Sequence, residues 1–432
     1  DAPVPVHGNH RVAGSAGRGT RGAAMLRPDA GPNHQVVSNV ITPATRPRQY
    51  HIDWLRVIAI FLVFVYHTLR PFSSEGFHVV NDRAYAGVDI ITTILPIFGM
   101  PLVFLISGAG AFYALGKRSG GRYLWDRVLR LVVPFIVGMV TYIPLLVYLE
   151  RVQHGDFQGN FPQFMAQYFD GLYAFGGDFA WMGLHLWYLA LLFLFTLLML
   201  PLMAWLRHSA AGARALAWHS RLFARPGMVY LMALPLLALA VLLNPDTPWG
   251  IRQLGGWTIW EYLFLFLYGF LVVGGEEIQA GIRRQRRVSL VLGLAALVVG
   301  VTLRLRPGEG GFGSAIYALY MSMVVVAAWS LLLAVWGYSM VHLNFGTRAL
   351  WLANEAVLPF YIMHQTLIII IGFFVLSWPI PDALKYLLIA GGTLLLMVLL
   401  HFGLIRRYNV LRVLFGLTPL PAASHSPTPA HV

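Results

Sequence analysis

No cysteine occurs in the 432 residues, so disulfides, thiolate nucleophiles and cysteine metal sites are excluded outright. Charge is scarce as well. Charged residues make up 11% of the chain, against about 25% in an average soluble domain. Acidic residues are the scarcer sign, 18 against 31 Lys and Arg, which leaves a formal charge of +13. A cationic excess gathered on one domain face would suggest nucleic acid, but these cations are spread in clusters between apolar runs, and no nucleic-acid partner is expected. Metal and nucleotide signatures are missing too: no His-x-x-x-His pair falls within an apolar run, no Gly-rich phosphate loop occurs and no Ser stands in a nucleophile elbow. No bound metal or permanent cofactor is expected.

What is present is hydrophobic length. Residues of apolar type make up 58% of the chain, and they run for about 20 at a time, the length that crosses a bilayer. Ten spans are expected, at about 52–70, 88–116, 128–149, 184–206, 228–244, 257–275, 288–304, 314–336, 357–377 and 384–405. The fold class is all-α, a polytopic membrane helix bundle. Pro96 and Pro101 in the second span predict a kink or a break. Residues 1–49, rich in Gly, Pro and Arg and without periodicity, read as a disordered basic tail. No secretory signal precedes the first span, which is expected to stay in the membrane. Residues 50–410 form the membrane domain and 411–432 a C-terminal tail.

Alternate loops differ sharply in cations. One side collects 23 and the other seven, with Arg56 inside the first helix. Because Lys and Arg are retained in the cytoplasm, both termini are expected there, in a multi-pass protein of the plasma (inner) membrane. The loops with Glu75, Asp82, Asp156, Asp170, Asp178 and Asp246 would face outward.

Ionisable residues inside a span cost roughly 2.5–3.5 kcal/mol at the bilayer centre, so each needs a reason. The first span holds Asp53, Arg56 and His67. His67 is eleven positions after Arg56, three turns plus a small remainder, which places them on one face about 16 Å apart. Asp53 is one turn before Arg56 on the same face. The plain account is an interfacial i, i+3 ion pair and a hydrogen-bonded bundle histidine. The chemical account is that histidine suits proton abstraction from a hydroxyl near neutral pH, so His67 is a candidate base.

Arg56, ten intervening residues and His67 resemble the signature of the acyltransferase 3 family of membrane acyltransferases. Four further stretches agree in order: Phe104-Leu-Ile-Ser107-Gly108, Arg127-Val-Leu-Arg130 with Pro134, His185-Leu-Trp187-Tyr188-Leu, and Pro359-Phe-Tyr-Ile-Met-His364-Gln365. The last is similar to the branch that succinylates periplasmic glucans. The resemblance covers about residues 50–410. It implies a ten-helix fold and an acyl group, of acetyl or succinyl class, moved from cytoplasmic acyl-CoA as co-substrate to a hydroxyl of an extracytoplasmic glycan or glycolipid.

On that basis His67, Arg56 and Asp53 are the candidate catalytic set. Arg127, Arg130, Ser107, Gly108 and His364 are candidates for the donor, since paired arginines grip phosphate and a glycine leaves room for a pantetheine arm. His185, Trp187, Tyr188 and Glu261 are candidates for the acceptor. Each has a plainer alternative: Ser107 and Gly108 close helix packing, Trp187 and Tyr188 an aromatic belt, Lys117, Arg118 and Arg122 topology alone. Two routes stay open, direct attack with His67 as base or an acyl-histidine intermediate. The competing functions are a transporter of a small anionic solute or an acyl or lipid substrate, and a non-catalytic lipid-binding subunit; a homo-oligomer is compatible with any of them.

Overall fold

The computed structural model describes residues 48–305 and 310–420, and the expected tail is outside the described residues except for Arg48 and Gln49. The chain runs through α1 (Tyr50–Leu69), α2 (Ala86–Leu115), α3 (Gly120–Arg127), a π-helical stretch (Val128–Val132), α4 (Val133–Val140), α5 (Tyr142–His154) and α6 (Phe161–Gln167). It continues with α7 (Trp187–His208), α8 (Ala210–Phe223), α9 (Ala233–Leu242), α10 (Ile259–Gly274), α11 (Glu276–Arg304), α12 (Ala315–His342), α13 (Arg348–Val375), α14 (Asp382–Leu400) and the short α15 (Asn409–Leu414). One isolated bridge, Leu172 with Phe179, is the extent of extended pairing among the described residues. The protein is an all-α membrane helix bundle.

All ten apolar segments are helical, but they are not ten equal spans. Among the described residues seven helices are long and apolar enough to cross a bilayer, and nine if each of two bent pairs counts as one crossing. In the first pair the segment 120–140 meets α5 at 41°; in the second, α8 meets residues 228–242 at 119°. The remaining segment, α10, has 16 residues, fewer than the ~20 that a crossing needs.

α10 has a structural reason to be inside. Gly108 on α2 and Gly269 on α10 face one another's backbones: a Cβ on Gly108 would collide with the Phe266 carbonyl, and one on Gly269 with the Leu105 carbonyl. Small residues let two helices approach this closely, and the reciprocal pair fixes α10 against α2. The N-terminus of α10 is set by a capping box in which the Thr258 hydroxyl accepts from Glu261 N and the Glu261 side chain returns to Thr258 N.

α2 does not break. It is one helix of 30 residues with Pro96 and Pro101 inside it. The two prolines withdraw the N–H groups that would meet the Thr92 and Ile97 carbonyls, and the Trp257 indole donates to the Pro96 carbonyl at 3.2 Å beside that gap.

The C-terminal end also differs from expectation. Residues 409–420 lie against the domain: Arg412 is buried and reaches the Thr418 carbonyl at 2.7 Å and Glu355 at 3.1 Å, so a tail beginning at 411 does not describe this segment. α13 begins at Arg348, nine residues before the expected 357, because Thr347 caps it by accepting from Leu350 N at 3.0 Å.

Candidate functional site

One face of α1 borders two chambers. Arg56, Ala59 and Ile60 line the first, and Val63, Tyr66, His67 and Arg70 the second, the 3–4 spacing of a single helical stripe. The first chamber, about 510 Å³, opens at the arginine-rich end of the bundle. The second, about 860 Å³, lies toward the opposite end.

Arg48, Arg56, Arg127, Arg130 and Arg412 line the first chamber, with Glu355 as its one carboxylate. Glu355 is already held by Arg406 at 3.0 Å and by Arg412. Arg56 is 3.4 Å from Asp53 and donates to Asn354 Oδ1 at 3.1 Å, while Asp53 also takes Arg48 at 2.7 Å. The expected ion pair is present, and it is shared. Arg127 stacks over Tyr123 at 4.9 Å, and neither Arg127 nor Arg130 forms an ion pair among the described residues. Both stand at the π-helical stretch, where Pro134 offers no N–H to the Arg130 carbonyl. Five guanidinium groups, of which Arg127 and Arg130 have no carboxylate partner among the described residues, suit a ligand with several negative charges. Arg118 is outside this chamber and pairs with Asp126 at 2.9 Å; Lys117 and Arg122 do not line it either.

The second chamber brings His67 and His185 together with aromatic walls from Trp181, Trp187 and Trp249. His364 is the third member of this group. From Arg348 it is 16 residues into α13, roughly 24 Å along the axis, so it stands beside His67 and does not line the first chamber. Its Nε2 is 3.3 Å from His67 Nδ1, and its ring is 5.2 Å from that of His185.

Carbonyl acceptors fix the neutral tautomers. His364 Nδ1 faces the Tyr361 carbonyl at 2.5 Å and must donate to it, so Nε2 keeps its lone pair. His67 Nδ1 then carries the hydrogen, shared between the Val63 carbonyl at 2.9 Å and His364 Nε2. The consequence is that His67 Nε2 is left as an acceptor. By the same argument His185 Nε2 donates to the Ile362 carbonyl at 3.0 Å, and its Nδ1 is buried without a partner among the described residues. The three imidazoles do not converge on one point, and no group of three or more ligating side chains among the described residues could hold a metal ion.

A thin wall separates the chambers. Tyr361 lines the first and donates its hydroxyl to the His185 carbonyl at the edge of the second. Tyr188 packs on Tyr361 at 5.4 Å between centroids and shares a 2.5 Å hydrogen bond with Ser107.

Several expected placements change. Tyr188 lines the first chamber with Ser107, because a step of one residue from Trp187 turns a helical side chain by about 100°. Gly108 faces Phe266 and not the chamber, so it makes room for α10 and not for a ligand. Glu261 lines neither chamber: it is fully buried, takes Arg252 at 3.0 Å and Thr258 N at 2.7 Å, and serves the start of α10. Arg48, Asn354, Glu355 and Arg412 were not singled out by the motifs. Asn354-Glu355, a polar pair ahead of a long apolar run, was the available signal.

Comparison with known proteins agrees with the helices and the motifs. A family model described as an acyltransferase domain matches residues 49–402. Curated relatives include proteins called glucans biosynthesis protein C from Salmonella paratyphi A, Salmonella typhi and Salmonella typhimurium, each 23% identical over 393 or 394 residues, covering 86% of this chain and 96% of the relative. No solved structure matches the chain significantly. With a family model covering most of its length, its motifs in order and its apolar helices in place, the chain belongs to the acyltransferase 3 family of membrane acyltransferases.

Proposed function

We propose that this acyltransferase binds acyl-CoA in the arginine-lined chamber and delivers the acyl group to a hydroxyl of a glycan or glycolipid held in the aromatic chamber, with His67 as the general base. The arginine-rich end is then cytoplasmic and the aromatic chamber extracytoplasmic, in the inner membrane, as the distribution of 23 cations against seven suggests. The observation that carries the proposal is the free Nε2 of His67, set by its contacts to Val63 and His364 and bordering a chamber one side-chain layer away from the arginines.

In the reaction, His67 Nε2 takes the hydroxyl proton as the acceptor oxygen attacks the thioester carbon. The new C–O ester bond forms, the C–S bond breaks, and the CoA thiolate leaves and is protonated. His67 returns its proton to water. Arg127 and Arg130 hold donor phosphates, while Arg56 with Asp53 and Asn354 orders the path between the chambers. The name of the curated relatives makes a glucan the first acceptor to try.

The test is free-thiol release from acyl-CoA by purified protein with a glucose oligosaccharide. His67→Ala should abolish acceptor-dependent release while leaving donor binding near wild type. Wild-type turnover in a folded His67→Ala protein overturns the assignment. An acyl adduct on His67 after incubation with acyl-CoA alone, seen by mass spectrometry, replaces the base by a nucleophile. A reporter fused after residue 412 should be active in the cytoplasm.

A further inference from the structure

The aromatic chamber contains a third imidazole, beside His67 and His185, that the reaction above does not use. His78, in the segment between α1 and α2, hydrogen-bonds through Nδ1 to Glu150 Oε2 on α5, and its side chain borders the chamber with 14% exposure. Glu150 is buried and held from other directions: Tyr173 donates to Oε1 at 2.7 Å, and Arg151 is 3.6 Å away. Arg151 is itself fixed by Asp178 at 2.9 Å and the Gly177 carbonyl at 2.9 Å. Tyr173 stays a donor, since burial and then the Glu150 carboxylate push its phenol well above its usual pKa.

An ionised carboxylate only accepts, so His78 Nδ1 donates to Glu150 and its Nε2 is the ring nitrogen left for the chamber. Nε2 has no hydrogen-bond partner among the described residues. Besides the buried Nδ1 of His185, the chamber therefore offers a ring nitrogen on His67 and one on His78, with the Phe77 ring between those two at 6.3 Å and 4.9 Å from their centroids. Among the described residues no carboxylate lines the chamber, and its one guanidinium, Arg70, is occupied by Glu75 and by the Gly76 carbonyl at 2.5 Å. Imidazoles and the Gln253 and Gln365 amides among flat apolar rings suit a ligand with several hydroxyls and apolar ring faces.

We propose that His78, backed by Glu150, is an acceptor-binding residue whose Nε2 hydrogen-bonds a second hydroxyl of the molecule whose reacting hydroxyl meets His67. The acceptor is then a polyhydroxylated ring engaged at two points, and a monohydric lipid alcohol is a poor substitute. The proposal rests on the reading that places the acceptor in this chamber. A purely structural network, pinning residues 73–85 to α5, is the alternative, and it would weaken both substrates together.

The experiment uses the full chain in detergent with acyl-CoA and a glucose oligosaccharide. His78→Phe keeps the ring volume and should raise the acceptor KM about 10-fold, as expected for a lost hydrogen bond to a charge-supported group, with kcat within about 3-fold and the acyl-CoA KM unchanged. Glu150→Gln keeps the shape and should give a smaller rise in the same constant, and it decides the matter if His78→Phe does not fold. Oligosaccharide binding without donor, read by tryptophan fluorescence, is measured in His67→Ala and in His67→Ala with His78→Phe. Weaker binding in the double variant supports the subsite even if His67→Ala retains turnover and the base assignment falls. Unchanged acceptor KM and binding, equal losses for both substrates, or equal turnover of octanol and the oligosaccharide overturns the proposal.

Discussion

The two chambers share a helix, yet they are built from opposite materials. Among the described residues the first has five arginines, two of them paired with Asp53, and one lining carboxylate already spent on Arg406 and Arg412, whereas the second is walled by tryptophans, with histidines, Arg70, Gln253 and Gln365 among its polar points. Guanidinium groups suit a multiply charged ligand that is held and released, while imidazoles among aromatic rings suit a neutral ligand with hydroxyls to be oriented and deprotonated. α1 joins the two because its 3–4 stripe carries Arg56 at one level and His67 at another.

Substitutions that affect one chamber and spare the other test this contrast most directly. The largest effect is expected for His67→Ala, a loss of roughly 10²- to 10⁴-fold in acceptor-dependent kcat, the range of a missing general base, with acyl-CoA binding unchanged by equilibrium titration. Next, Arg130→Ala should weaken acyl-CoA binding by about 1.5–3 kcal/mol, roughly 10- to 150-fold, and leave oligosaccharide binding alone. Arg130→Lys should recover only part, because an ammonium lacks the planar fork, and the difference should shrink in high salt. If Arg130→Ala damaged both ligands equally, the chambers would not be separate sites. Gly269→Ala should cost about 1–3 kcal/mol, read as a lower melting temperature in detergent, since its Cβ meets the Leu105 carbonyl on α2. Ser107→Ala should cost least, about 0.5–1.5 kcal/mol for the hydrogen bond with Tyr188. A greater effect on turnover than on melting would place Ser107 on the path of the acyl group.

The sequence disclosed groups whose type alone is informative. Asp53, Arg56 and His67 stand out because a membrane makes ionisable residues costly, and helical periodicity is enough to align them. Arg127 and Arg130 were legible for the same reason, three apart at the edge of a span. His364 was legible in kind but not in depth, because Asn354 and Glu355 resemble the end of a helix while Thr347 in fact caps one further back. Gly108 and Glu261 keep two readings in the sequence because their partners are invisible locally: Gly108 meets a carbonyl of α10, in line with its packing reading, and Glu261 meets Arg252 from a preceding loop. The His78 and Glu150 pair joins residues 72 positions apart, and no local pattern points to it.

The wall of Tyr188, Tyr361 and His364 has an electrical consequence. If the two chambers open to opposite aqueous phases, as the proposed function requires, one layer of side chains separates those phases, and in an energised membrane much of the transmembrane voltage falls over it. A neutral acyl group would then cross it without doing electrical work. One that carries a carboxylate would move a charge through the field, worth about 2.3 kcal/mol per 100 mV, and a negative interior would drive it outward. The same thin layer is also the insulator against proton leak, which makes its close ring contacts as much a condition of membrane energetics as of catalysis.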